Sequence, residues 1–394
     1  MFDTMKISTL LSCAAAVAVP SVSGAVNSPF ISKVHEFLPA PGQFVHSVPP
    51  ITDDMTREQV LAEVERQLVG DERPGMVSLG AFGGYVIFSF DHPVVNVAGQ
   101  YDFKIYGNSF KNTQDDGCSS EPGIVMVSVD ANGNGLPDDE WFELRGSESD
   151  NPETIRNFTI TYRRPSQTEK AEDISWTSDS ESYPEGVIAI NQFHQQSYWP
   201  AWTAKDETLT FTGTRLPNNG HNEGSATTEY WVLDSFDWGY ADNLPDFVND
   251  PETGSFMPNP ENPGFDISNA VDANGVSVTL GHVDFIKVYT AMNQMCGWLG
   301  ETSTEVEGAR DLHPDAVVSG LAETIADSAA SVRLSDTDLM VSVEKPSVVE
   351  IYDASGRQAA RYVVAAGHNT LSLASLNGGI YIVRVGDTVS RIAL

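Results

Sequence analysis

A chain of 394 residues with 22 Lys and Arg against 55 Asp and Glu carries a formal charge of −33. That excess of carboxylate excludes a protein that grips nucleic acid or anionic membrane through clustered Lys and Arg, and it attracts cations such as Ca²⁺ instead. The length admits a leader, one large domain and one small one.

In chain order, the first element is a leader. Lys6 precedes an apolar run, and Ser23 and Ala25 are the small residues of a secretory cleavage site, so residues 1–25 read as a signal peptide. The run is shorter than the roughly 20 apolar residues a membrane span needs, and no other stretch reaches that length. Lipid attachment at Cys13 is the alternative, with a very short apolar region before the cysteine. Residues 26–75 begin with a proline-rich extended segment. There follows a helix capped by Thr56 or Asp54, with Val60, Leu61, Val64 and Leu68 at helical spacing and Gly70 as its stop.

From Met76 to residue 310 the texture changes to short runs such as YVIFSF, GIVMVSV, NFTITYR and VDFIKVYTA, separated by Gly, Asn, Asp and Pro. Their β-branched and aromatic content and recurrent turn residues predict an all-β, jelly-roll-like β-sandwich. Phe90, Val94, Val125, Val127, Ile160 and Val288 are expected in its core. Residues 246–263, rich in Pro and Asn, read as a surface loop, and residues 311–331, rich in Ala and Ser, as a linker. Residues 332–394 resume the β texture and predict a second, small β-sandwich.

Within the large domain, DANGNGLPDDEW places Asp130, Asn132 and Asn134 at alternate positions, then Leu136, Asp138 and Glu140. A Ca²⁺ ion takes six to eight oxygens, and such a loop supplies them from side chains and the Leu136 carbonyl. Trp141 stands where a bidentate Glu would complete the pattern, so Glu140, Asp139 or an acid from another loop has to compensate. The competing reading is a polar hairpin, because both Asn-Gly pairs are strong turn signals. As a metal site it would be structural, stiffening a strand connection.

Two resemblances are carried by longer motifs. IYDASGRQ at 351–358 and NTLSLASLNGGIYIVRV at 369–385 resemble the type A C-terminal sorting domain of the Bacteroidetes type IX secretion system, although Arg391 replaces the lysine usual near its end. This resemblance implies export across the outer membrane by the type IX secretion machinery, then removal of the domain and attachment at the cell surface. LGAFGGYVIFSFDHP, YDFKIYGNSF, SSEPGIVMVSVDANGNGLPDDEWFELRGSE, SFDWGYADN and GFDISNAVDANG resemble a family of Bacteroidetes cell-surface β-sandwich proteins with distant PEP-CTERM exoprotein relatives. No enzymatic activity is established for that family, and some members accompany cobalamin uptake components, which implies nutrient capture. Its polar pair falls on Asn108 and Glu121, either a ligand or cation site at the sandwich rim or a hydrogen-bonded strand end.

Two cysteines remain after leader removal, Cys118 and Cys296. An oxidising compartment favours their disulfide over two buried thiols. The bond would draw Glu121 and Glu301 together beside Trp298, giving a candidate ligand-binding surface of Asn108, Glu121, Trp298 and Glu301. Tyr198, Trp199, Trp202, Trp238 and Tyr240 are candidate stacking aromatics, equally able to serve as core. The sequence holds no HExxH, GxSxG or P-loop motif. The leading expectation is therefore a calcium-stabilised, non-enzymatic surface protein that binds an extracellular small molecule or glycan. The alternatives are a glycan hydrolase using paired carboxylates and a purely structural or adhesive module.

Overall fold

The computed structural model describes residues 27–111, 118–200, 202, 206–225, 227–250 and 252–316, then 330–335, 338–343, 345–353, 357–374, 376, 378–385 and 388–393. The leader, Cys13 and most of the expected linker lie outside the described residues. The fold is all-β, as expected, with mostly antiparallel sheets in the large domain, the pairing of Trp231–Leu233 with Cys118–Ser119 being parallel, and a second sandwich at the C-terminus. No helix of the described residues is long and apolar enough to cross a membrane.

A six-stranded sheet organises the large domain, in the order Lys33–Leu38, Tyr85–Ser89, Phe285–Thr290, Gly123–Ser128, Trp141–Leu144, Ala270–Val271. Strands 200 residues apart in sequence therefore lie side by side, the return connection of a jelly-roll-like topology. Period-2 alternation sorts its side chains. Val288 pairs with Val125 on one side and Val86 on the other, and this row faces the main core with Ile286, Val127 and Phe88. Tyr289 and Ile124 point the other way into a separate cluster. All six residues expected in the core are buried.

The predicted helix is Arg57–Leu68. Thr56 caps it through a reciprocal pair: its hydroxyl accepts from Gln59 N at 3.3 Å, and Gln59 Oε1 accepts from Thr56 N at 2.8 Å. Val60, Val64 and Leu68 lie on one face and join the main core, and Gly70 leaves the helix at φ +91°. Because Lys33–Leu38 is an edge strand of the main sheet, residues 27–75 belong to the large domain rather than standing apart from it.

A four-stranded sheet, Glu185–Ile188, Ile174–Ser178, Ile155–Arg163, Thr208–Arg215, packs Phe158, Ile160, Tyr162 and Phe211 around Phe82 and Trp199. On its other face Thr159 and Thr161 exchange hydroxyl hydrogen bonds with Thr212 and Thr210. Phe82 meets Phe158 edge-on at 5.1 Å and Tyr289 at 6.4 Å, joining this core to the six-stranded sheet.

The boundaries differ from expectation in three places. Strand Gly308–Asp311 pairs with Phe103–Tyr106, Leu312 N donates to Asp102 O, and Asn27 donates to Pro314 O, so residues 311–314 belong to the large domain. Residues 317–329 are outside the described residues, and strand Ala330–Ser335 starts before residue 332. The loop 246–263 contains a hairpin, Phe247–Asn249 with Phe256–Pro258. The C-terminal module itself is built from a three-stranded and a four-stranded sheet over a core that includes Val341, Val349, Ile351 and Val383.

Candidate functional site, an acidic cavity

Asn108, Glu121, Trp298 and Glu301, expected to form one surface, line a single cavity of about 370 Å³ together with Gln43, Phe44, Asn191, Phe193, His194, Cys296 and Glu305. The stretch CGWLGE brings two of them in. Gly297 and Gly300 adopt φ of +52° and +93°, the left-handed region that glycine tolerates, so a short turn carries Trp298 outward between them. Asn191 Nδ2 holds the turn by donating to Trp298 O at 2.7 Å, and Gln43 Nε2 donates to Leu299 O at 2.8 Å. Trp298 is 45% exposed and Phe193 65%, and their rings meet edge-on at 6.5 Å. Exposed aromatics next to a cavity are ready contacts for the flat face of a ligand.

The interior is carboxylic. Glu301 is buried; its Oε1 accepts from Gln43 N at 2.6 Å, and its Oε2 has no hydrogen-bond partner. Burial pushes its pKa up to about 8, against the Gln43 N–H. Glu121 is half-buried with its carboxyl group turned inward, where Oε1 accepts from Ser303 N at 3.0 Å. Desolvation, then the neighbouring Asp242, raises it to about 8. Asp242 accepts three backbone N–H groups, from Asn108 (2.9 Å), Ser109 (2.8 Å) and Glu305 (2.9 Å). Glu305 accepts from Ser303 Oγ at 3.0 Å. Burial also raises both Asp242 and Glu305. Asn108 contributes its backbone N–H, while the residue itself stays exposed.

Two acids of this cluster, Asp242 and Glu305, escaped the sequence reading. Asp242 lies in SFDWGYADN, a segment that carried the second resemblance, and has the left-handed φ of +52° that a non-glycine residue seldom adopts. Nothing in the local pattern around Glu305 distinguishes it from the chain's other acids.

The expected disulfide is not formed. Cys296 is a free, buried thiol whose Sγ would clash with a Cβ on Gly220 and lies near the Thr302 hydroxyl; burial lifts its pKa to about 11. The side chain of Cys118 lies outside the described residues. The turn at Gly297 and Gly300 and the contacts of Gln43 and Asn191, rather than a cross-link, hold the Trp298 loop in place.

The loop 130–140 is a compact, exposed connection between Gly123–Ser128 and Trp141–Leu144. Asp130 accepts from Asn134 N at 3.0 Å and Gly135 N at 2.8 Å, and the amides of Asn132 and Asn134 both donate to Asp138. Asp130, Asn132, Asn134 and Asp138 therefore converge, as a metal loop or a polar hairpin both require. Leu136 N donates to Asn134 Oδ1, and its side chain is exposed. Glu140 is exposed and outside this bonded set.

The aromatic candidates divide. Tyr198 and Trp199 are core residues, 1% and 0% exposed, packed under the four-stranded sheet. Trp202 stacks on Phe37 at 6.3 Å, and Tyr240 is buried with its hydroxyl accepting from Glu148 N. Trp238 alone is open, lining a second cavity of about 460 Å³ with Tyr101 and Arg145. Glu261 there is exposed, and Asp266 is committed to Ser268 N at 2.8 Å, so that larger space lacks the buried, unsatisfied carboxylate of the first. His92 bridges Asp91 (2.6 Å) and the buried Asp311 (2.7 Å).

No protein-family model and no curated protein matches the sequence. Among solved structures, a β-glucuronidase from Ruminococcus gnavus in complex with uronic isofagomine aligns at 10% identity and a TM-score of 0.18, over 83% of this chain and 46% of that one. A β-glucuronidase from Faecalibacterium prausnitzii aligns at 12% identity and a TM-score of 0.15, over 72% and 47%. The chain spans less than half the length of these enzymes, and likeness at this level carries no functional argument.

Proposed function

We propose that this is a secreted, surface-attached binding protein that captures a small extracellular ligand in the cavity of Glu121 and Glu301 without transforming it. The observation that carries this reading is the convergence of Asn108, Glu121, Trp298 and Glu301 on one concave space with exposed aromatics beside buried carboxyls. Its volume lies at the small end of ligand pockets, which suits a sugar ring or similarly sized polar molecule and leaves most of a corrinoid outside. Its acids favour a ligand that brings hydrogen-bond donors or a cation. Export by the type IX secretion machinery through the C-terminal module, and a Ca²⁺ ion stiffening the loop 130–138, belong to the same proposal.

The hydrolase alternative needs one protonated carboxyl and one ionised partner, held apart electrostatically. Here burial raises Glu121, Glu301, Glu305 and Asp242 alike, with neighbouring acids adding to it for Glu121, Asp242 and Glu305, so no pair is pushed apart in the way that chemistry needs. Incubating the mature protein with glycan and corrinoid arrays tests the reading. Saturable binding without product, weakened by Trp298→Ala, is expected; release of product from any ligand contradicts it.

A further inference from the structure

We propose that Glu121, Asp242 and Glu305 form a binding site for a hard divalent cation, Ca²⁺, with Glu301 as a fourth carboxylate lining the same cavity. One oxygen from each of the first three lies within 4.8 Å of the others. At Ca–O distances near 2.4 Å, ligands on opposite sides of an ion are about 4.8 Å apart, so the three oxygens fit inside one coordination shell. Their neighbours leave the negative charge uncompensated. Among the described residues no Lys, Arg or His is ion-paired with any of the four acids; the nearby Lys104 is engaged with Asp246 at 3.3 Å. Backbone N–H groups satisfy Asp242, but a buried cluster of carboxylates without a cation is strongly disfavoured.

A second observation is independent of the cluster. Glu301, 3% exposed, lines the same cavity as Glu121 and Glu305, and its Oε2 is buried with no hydrogen-bond partner. It is close enough for its charge to act on Glu121. A buried carboxylate oxygen left open in this way is costly unless something binds it. The donors that converge are all carboxylate oxygens; His194 and Cys296 line the cavity but are not part of the converging group. Oxygen-only donors select Ca²⁺ over zinc, which prefers nitrogen and sulfur. The rival way to neutralise the cluster is a proton shared between Glu121 and Glu305.

This site is separate from the loop 130–138, and the experiment must tell the two apart. The full mature chain is stripped with chelator and titrated with CaCl₂ by calorimetry, beside Glu305→Gln and the double variant Asp130→Asn, Asp138→Asn. Loss of one bound Ca²⁺ in the Glu305 variant, with that equivalent retained in the loop variant, is the expected result. Equal Ca²⁺ stoichiometry in wild type and the Glu305 variant overturns the proposal. Should that variant fail to fold, crystals of the wild-type protein soaked in Mn²⁺ give the second reading. An anomalous peak between the three carboxylates supports the site, and its absence at millimolar Mn²⁺ overturns it in favour of the shared proton. The inference shares its cavity with the ligand reading but not its fate, because the titration contains no organic ligand.

Discussion

Asp102 offers a sharp test of how this sandwich treats buried charge. It is fully buried, and its two oxygens accept from Val97 N at 2.7 Å and Ile267 N at 2.8 Å, tying the start of strand Phe103–Tyr106 to the turn before Ala270–Val271. Desolvation, opposed by those two N–H groups, raises its pKa from 3.8 to about 6. A carboxyl whose folded pKa is raised contributes full stability below its unfolded pKa and loses it as pH rises through the folded value. The difference of about two units is worth about 3 kcal/mol, lost between pH 4 and 6. Asp102→Asn removes the titration. It also turns an NH₂ group against one of the two N–H donors, a pH-independent cost of about 1–3 kcal/mol. Urea denaturation followed by tryptophan fluorescence isolates the large domain, since all seven tryptophans precede residue 311. Relative to the Asn variant, the wild type should gain most of those ~3 kcal/mol as pH falls from 7 to 4. Parallel stability curves for the two proteins would refute the reasoning.

His35 predicts the opposite slope. Burial, then Lys33, lowers its pKa to about 4, so its contribution is present above pH 6.5 and lost as pH falls toward 4; His35→Gln should flatten that acid limb in the same assay. Thr56→Ala removes half of the reciprocal helix cap and should cost about 1 kcal/mol, read as a lower urea midpoint at unchanged m. Asp130→Ala removes the acceptor of two loop N–H groups. If Ca²⁺ stiffens this loop, calcium should raise the melting temperature of the wild type more than that of the variant, and equal shifts would count against it. Deleting residues 332–394 should leave the protein in the periplasm, checked by surface proteolysis of whole cells; normal display would remove the sorting role.

Much of the fold was legible because its signals are local. Thr56, Gln59 and the Val60–Val64–Leu68 stripe specify the helix within a few residues of themselves, and the alternation in GIVMVSV sorts Val125 and Val127 from Ile124 without outside help. The cavity was half legible: motif resemblance singled out Asn108 and Glu121, whereas Trp298 and Glu301 were joined to them through a disulfide that is not formed, and it is the glycine turn in CGWLGE that places them there. Asp242 and Glu305 were not, because their roles arise from contacts such as Glu305 N to Asp242, 63 residues apart, that no local pattern encodes. The aromatics of SYWPAW show the same limit. Whether a tryptophan is platform or core depends on which sheet closes over it, and for Trp199 that sheet contains Ile155–Arg163. Two cysteines likewise say nothing of Cβ separation, and Cys296 is a thiol walled in by Gly220 and Thr302.

Native mass spectrometry of the mature protein, purified after secretion into medium rich in glycans, addresses the central claim directly. The wild type should carry a small molecule of unchanged covalent structure that is absent from a Phe193→Ala, Trp298→Ala variant. Equal ligand occupancy in both proteins, or a bound molecule chemically altered from what was supplied, would contradict capture in this cavity.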